Sequence, residues 1–201
     1  MRIDEQNWRL YEFQPSFVLG FHGCDRSVGE AVLNGEIQHL KPSVNDYDWL
    51  GEGIYFWESN PARALQFAQE RAAGGKNSQG EISEPFVIGA VLNLRHCLST
   101  TESSALFRLR SAYQTLVSAS QQSGTVLPTN GQSLRQRRLD CAVFNLLPLL
   151  EEEPIDSVRA AFWEGESLYP GAGLREADHI QICVRNSECI LGYFRPIAVT
   201  G

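Results

Sequence analysis

A chain of 201 residues, 43% of them hydrophobic, can bury one sizeable core, or one core with a helical appendage. Its formal charge of −7 argues against a protein that coats nucleic acid through a general positive field, while leaving room for a local basic groove. No apolar run approaches the roughly 20 residues that span a bilayer. The opening MRIDEQNWRLYEF has neither a basic start nor an apolar stretch, so a cytoplasmic protein without membrane contact is expected. Five cysteines (Cys24, Cys97, Cys141, Cys183 and Cys189) show neither CxxC nor a Cys/His ligand spacing. They read as reduced core thiols, and no metal is expected.

In chain order, residues 16–22 (SFVLGFH) are aromatic and β-branched and predict a buried strand. Asp25 or Ser27 then caps a helix reaching about Gly35. Residues 41–48 are rich in turn formers and predict a loop, which leads into a second short strand at 53–57. Asn60-Pro61 opens another helix, since the Asn side chain accepts from first-turn amides and Pro suits the first helical position. Residues 74–80 read as a linker, 86–92 as a buried strand, 102–120 as a helix and 133–147 as another helix. Residues 154–162 predict a short helix, and the glycine- and proline-rich 165–176 predict irregular chain. Strands at 179–185 and 189–194 follow, separated by Asn186-Ser187-Glu188. Strands and helices mix without strict βαβ alternation, which indicates an α+β domain with a mainly antiparallel sheet.

The common nucleotide, protease and hydrolase motifs are absent. Two segments stand out instead: Phe21-His22-Gly23-Cys24 and Leu50-Gly51-Glu52-Gly53-Ile54-Tyr55-Phe56-Trp57. A histidine at a strand end followed by glycine offers an imidazole beside a backbone that a flat ligand can approach closely. Such an edge can hold a carboxamide by one N–H and one C=O. In the second segment two glycines let the chain turn sharply into a strand presenting Tyr55, whose ring suits a planar, electron-poor partner.

The pairing of His22-Gly23 with Gly51-Glu52-Gly53-Ile54-Tyr55-Phe56, followed by a small-residue helix, resembles the ADP-ribosyltransferase superfamily. It is similar to the diphtheria-toxin and poly(ADP-ribose) polymerase branch, marked by His, Tyr and a third polar residue, usually Glu. The match covers about residues 17–68. The resemblance implies a split antiparallel sheet with peripheral helices, one domain over 1–201 with a helical insertion at about 100–163, and NAD⁺ as co-substrate. On that likeness His22 hydrogen-bonds the adenosine ribose, the Gly23 backbone grips the nicotinamide amide, and Tyr55 stacks on the nicotinamide ring. Cys24 and Gly53 flank that pocket, the loop 43–50 with Asn45 and Tyr47 covers the dinucleotide, and Phe67 completes an aromatic sandwich with Tyr55. The imidazole and the phenol ring are expected to converge on one cleft.

The third position departs from the majority pattern, because the strand after His179 puts Gln181 where Glu is usual. Glutamine can hydrogen-bond the nicotinamide-ribose hydroxyl but cannot ionise. Mono- rather than poly-ADP-ribosylation is therefore expected, with any base coming from elsewhere. Glu164 or Glu166, in the loop that in the superfamily recognises the acceptor, can activate a nucleophile, while Trp163 or Tyr169 can stack on a base. The acceptor implied by the likeness to small bacterial toxin and phage-defence transferases is RNA or another nucleic acid, ahead of protein. Arg108, Arg110 and Arg135 to Arg138 offer a phosphate track. An antitoxin-like partner belongs to the same picture. The alternatives are an NAD⁺ glycohydrolase, a non-catalytic NAD⁺ or ADP-ribose binding module, and a structural protein.

Overall fold

A computed structural model describes residues 13–74, 82–131 and 136–197. Most of the 74–80 linker and residues 133–135, at the start of the fourth expected helix, lie outside the described residues.

Strand β1 (Phe13–Asp25) is longer than the sequence suggests because it pairs along its length with β3 (Pro85–Ser99), from Phe13↔His96 to Asp25↔Pro85. Helix α1 (Arg26–Leu33) follows at once, its first turn capped by Asp25, whose carboxylate accepts from the Ser27 amide at 2.9 Å. Strand β2 (Ile54–Glu58) leads into α2 (Pro61–Ala72), where Asn60 accepts from the Arg63 amide at 3.0 Å and Pro61 fills the first position. Helix α3 (Ser103–Ser123) ends at Gly124, whose φ of 68° suits glycine, and α4 (Arg138–Leu150) packs beside it. Strands β4 (Ser157–Phe162), β5 (His179–Val184) and β6 (Ile190–Phe194) complete the set.

The six strands form one sheet. β1 has β2 on one edge and β3 on the other; β5 follows β2, and β4 follows β5. β4 then reaches the far end of β3 through three parallel rungs, Cys97↔Ser157 to Ser99↔Arg159, while β6 flanks β3 nearer its start. Every other pairing is antiparallel, so the class is α+β, as the mixed element order predicts.

Period-two alternation sorts the sheet residues into two faces. Ile54 and Phe56 of β2, Ile88 and Leu92 of β3, and Ile182 and Val184 of β5 form a first buried cluster with Cys24, Val32 and Leu40. Phe56 is fully buried; burying such a ring contributes about 1.5–3 kcal/mol. On the other face Val158, Ala160, Phe162 and Cys183 pack against Ala105 and Ala112 of α3 and Val143, Phe144 and Leu147 of α4. A third cluster, Phe21, Trp57 and Ala64 with Phe67, seats α2 on β1 and β2.

The helix expected over 154–162 is a strand. Its alanines favour a helix, but Val158, Ala160 and Phe162 recur every second residue, and that inward row fits only a strand beside β5. The helical insertion is thus α3 and α4 alone, and 157–162 belongs to the sheet.

Asp25 accepts from both the amide and the hydroxyl of Ser27, from both the amide and the hydroxyl of Ser83, and from the Glu84 amide, which holds its carboxyl well below the usual range. Asp25→Ala removes these bonds together, and urea unfolding should show a loss of about 1–2 kcal/mol, the scale of a lost helix cap; an unchanged midpoint would remove this junction from the determinants of the fold.

Candidate functional site where β1 and β2 part

The register between β1 and β2 comprises two rungs, Gly20↔Glu58 and Phe21↔Trp57. In an antiparallel pair the N–H and C=O of one residue point to the same edge, and the edge alternates along the strand. The Leu19 carbonyl accepts from the Ser59 amide at 2.8 Å, so Leu19, Phe21 and Gly23 aim at β2. Gly20, His22 and Cys24 aim at β3, a parity that the Arg26 amide continues by donating to the Glu84 carbonyl at 2.9 Å. On β2 the same rule turns Gly53, Tyr55 and Trp57 toward β1.

Beyond Phe21 the two strands separate, and other groups take over the exposed edge. Gly53 exchanges both backbone bonds with Ser43, at 3.0 and 2.8 Å. The Tyr55 carbonyl accepts from His22 Nδ1 at 2.7 Å. That bond fixes the tautomer, with the proton on Nδ1 and a lone pair on Nε2. The N–H and C=O of Gly23 and the N–H of Tyr55 are left bordering the gap. Gly23 also lies against α2: a Cβ built there would stand 2.1 Å from the Ala64 carbonyl oxygen. Glycine at this position lets helix and strand approach until only backbone separates them.

His22 and Tyr55 do not converge from one face. Cross-strand pairing places His22 with Phe56, their rings 5.9 Å apart, and Tyr55 on the opposite face with Gly23 and Trp57. They meet instead through the Tyr55 carbonyl. The Tyr55 hydroxyl donates to the Gly51 carbonyl at 2.6 Å and accepts from the Leu50 amide at 2.9 Å, and burial pushes its pKa well up.

The remaining expected contacts divide. Cys24 belongs to the first core cluster, its thiol pushed up to about 12 by burial, and its backbone faces β3; it does not reach the gap. Gly53 serves the Ser43 bridge and sits against Cys183 and Val184. The loop bearing Asn45 and Tyr47 stands clamped to α4: the Arg137 amide donates to the Tyr47 carbonyl at 3.1 Å, and Arg185 Nη2 donates to the carbonyls of Leu50 and Phe144 at 3.0 and 2.9 Å. Asn45 itself donates to Ser43 Oγ and Asp48 Oδ1, inside that loop. Phe67 meets Trp57, with ring centroids 5.0 Å apart, where the sequence suggested Tyr55. Gln181 pairs with Trp57 on one side and Ala160 on the other. Glu164 accepts from Arg63 Nη2 at 3.0 Å.

Three residues that the motifs do not mark as site residues, Trp57, Arg63 and His179, lie together where β2, α2 and β5 meet. His179 is the residue that opens β5, and its ring packs among Trp49, Trp57 and Phe162 at 6.3, 6.4 and 5.6 Å. Burial lowers its pKa, as it does for His22. Alternation along β2 makes Trp57 a companion of Tyr55, a signal already present in the sequence. Two cavities flank this aromatic group. One, of about 300 Å³, is lined by Trp49, Arg137, Asp140, Phe162 and Trp163, and the other, of about 370 Å³, by Glu58, Trp163, Asp178 and His179. Of the arginines read as a phosphate track, Arg108 pairs with Glu151, Arg138 pairs with Asp46, and Arg137 lies over the Trp49 ring at 4.3 Å. Arg135 lies outside the described residues. Among the described residues no group of three or more His, Cys, Asp or Glu side chains is placed to hold a metal ion, and no helix is long and apolar enough to cross a membrane.

No family model matches the chain, and no solved structure matches it. A stretch of 38 residues is 45% identical to an uncharacterized protein of Methanocaldococcus jannaschii, covering 19% of this chain and 17% of the length of that relative.

The two lowered histidine pKa values set a pH dependence. The folded state resists protonating His22 and His179, whereas the unfolded chain takes up those protons near the ordinary value of 6.5. The unfolded state therefore binds more protons in acid, and stability should fall as pH drops below 6.5 and be retained above it. Urea midpoints compared at neutral and mildly acidic pH, in the parent and in His22→Asn, measure this; identical acid sensitivity in both would remove His22 as a source.

Proposed function

We propose that the chain is a mono-ADP-ribosyltransferase that binds NAD⁺ where β1 and β2 part. A carboxamide presents N–H donors and one carbonyl, which the Gly23 C=O and N–H complement. The single observation that carries the reading is that Gly23 aims both groups into a gap no strand fills, opposite Tyr55 and beneath α2. The divided ladder is also what a split antiparallel sheet of the ADP-ribosyltransferase kind requires. His22 Nε2, left with a lone pair by the bond at Nδ1, suits a ribose hydroxyl. Trp57 and Phe67 pack with Phe21 and Ala64 on the Gly23 side and supply flat apolar walls for the nicotinamide ring, while Tyr55 packs against the α3–α4 cluster beside them.

The reaction breaks the bond between nicotinamide nitrogen and ribose C1′ through an oxocarbenium-like state. The leaving ring already carries positive charge and departs neutral, so no acid is needed. What the protein must supply is position and a fixed electrostatic surround. Gln181, at the rung opposite Trp57, offers hydrogen bonding to the sugar without a charge. The acceptor favoured is a nucleic acid, with protein second; the exposed Trp163 beside both cavities suits a stacked base.

Incubation with labelled NAD⁺ and separate RNA, DNA and protein pools tests the proposal. Nicotinamide release with label in one pool is the expected result, and Tyr55→Ala should reduce turnover at least about 100-fold, the scale of lost positioning. Release of nicotinamide with label in no pool makes the chain a glycohydrolase. ADP-ribose binding with no release makes it a reader module, and neither binding nor release overturns the assignment.

A further inference from the structure

Four buried side-chain nitrogens on three residues lack hydrogen-bond partners and gather where the end of β2, the start of α2 and the start of β5 meet: Trp57 Nε1, His179 Nε2, and Nε and Nη1 of Arg63. Buried polar atoms are nearly always bonded, so such a group signals a partner supplied from outside the fold. The three residues touch one another. Arg63 lies over the Trp57 ring at 5.8 Å, and the Trp57 and His179 centroids are 6.4 Å apart.

Their chemistry is not uniform. Trp57 and Arg63 can only donate. His179 Nδ1 donates to the Ala177 carbonyl at 2.7 Å, with a Glu164 carboxylate oxygen 3.7 Å away, so Nε2 carries a lone pair and nothing to receive. Its side chain is 1% exposed, yet the residue lines the cavity of about 370 Å³ whose rim is the exposed Trp163. An imidazole held through one nitrogen by a carbonyl, with a carboxylate 3.7 Å from that nitrogen and a lone pair on the other, is an arrangement suited to taking a proton from a nucleophile. Glu164 is less suited to that task, because Arg63 holds its carboxylate at 3.0 Å.

We propose that His179 Nε2 is the general base for the acceptor nucleophile, that Trp57 Nε1 donates to that nucleophile's heteroatom, and that Glu164 is a positioning residue acting through His179 and Arg63. The assignment rests on the NAD⁺ reading above. In the step, an acceptor O–H or N–H loses its proton to Nε2, and the heteroatom's electron pair forms a bond to ribose C1′. The bond from C1′ to nicotinamide nitrogen breaks, its pair leaves with neutral nicotinamide, and the imidazolium returns its proton to water.

The groups facing the ring decide its titration. The segment before β5 presents Glu164 and Asp178, and α2 presents Arg63. β4, β2 and the loop before it present the rings of Phe162, Trp57 and Trp49, and Glu58 of β2, paired with Arg159 of β4, lines the same cavity. Burial is the largest influence and lowers the pKa; the carboxylates oppose it and Arg63 adds to it. The rate should therefore rise with pH through an ionisation below 6.5 and stay level above it.

Nicotinamide release from NAD⁺, with water as the nucleophile, is followed across that range in the parent, His179→Ala, His179→Gln and Glu164→Gln, alongside NAD⁺ affinity and thermal unfolding. Both His179 variants should bind NAD⁺ within about twofold of the parent, turn over about 100-fold more slowly, the scale of general-base loss, and lack the acid limb. Added imidazole should restore turnover in His179→Ala and not in His179→Gln, whose larger side chain occupies the space. Glu164→Gln should move the limb to lower pH. A retained limb, no recovery with imidazole, or an affinity loss matching the rate loss would overturn the assignment to His179. Absence of nicotinamide release from the parent at every pH would instead remove the transferase reading beneath it.

Discussion

Backbone hydrogen bonds that β1 and β2 do not make govern the rest of the structure. A buried amide or carbonyl without a partner costs about 1–3 kcal/mol, so two neighbouring strands normally zip together. Here zipping stops after Phe21↔Trp57, and the chain satisfies part of the freed edge by other means: Ser43 exchanges two bonds with Gly53, and the His22 ring takes the Tyr55 carbonyl. Both substitutes come from the two segments that stand out in the sequence or from the loop between them. The imidazole spans the parted strands, the loop is pinned to α4 by Arg137 and Arg185, and α2 closes one side over Gly23. The parting is bounded by named bonds on several sides, and the Gly23 N–H and C=O point into it.

Sequence and geometry agree that the two unusual segments are neighbours in the sheet and differ about which side chains share a face. His22-Gly23 and the Gly-Glu-Gly-Ile-Tyr run are unusual as local strings, and the sheet brings them together at the parting. The expected meeting of imidazole and phenol fails because cross-strand partners share a face and neighbours along a strand do not; with Phe21 opposite Trp57, His22 falls opposite Phe56. That register is tertiary information. Cys24 illustrates the same point, since its parity directs it to β3 and the core.

Elsewhere, local chemistry sufficed where it was strong. Asp25 and Asn60 cap the helices they announce, and Gly124 ends α3 close to the expected boundary. The failure at 157–162 came from alanine, which suits a helix in isolation and a strand once Val158 and Phe162 have a face to fill. β3 runs to Ser99, beyond the apolar stretch that announced it, because β4 pairs with its final residues. The strand pattern over 179–184 points to Gln181, whereas the lone pair on His179 is visible only once the carbonyl of Ala177 is seen at Nδ1, with the Glu164 carboxylate 3.7 Å away.

The most direct measurement is an amide-resolved NMR titration with nicotinamide alone, which carries the carboxamide and ring without sugar or phosphate. Occupation of the parting predicts that the largest shifts fall on the amides of Gly23 and Tyr55, with α3 and α4 unmoved. Shifts confined to residues around Trp163 and Asp140, with Gly23 silent, would contradict it.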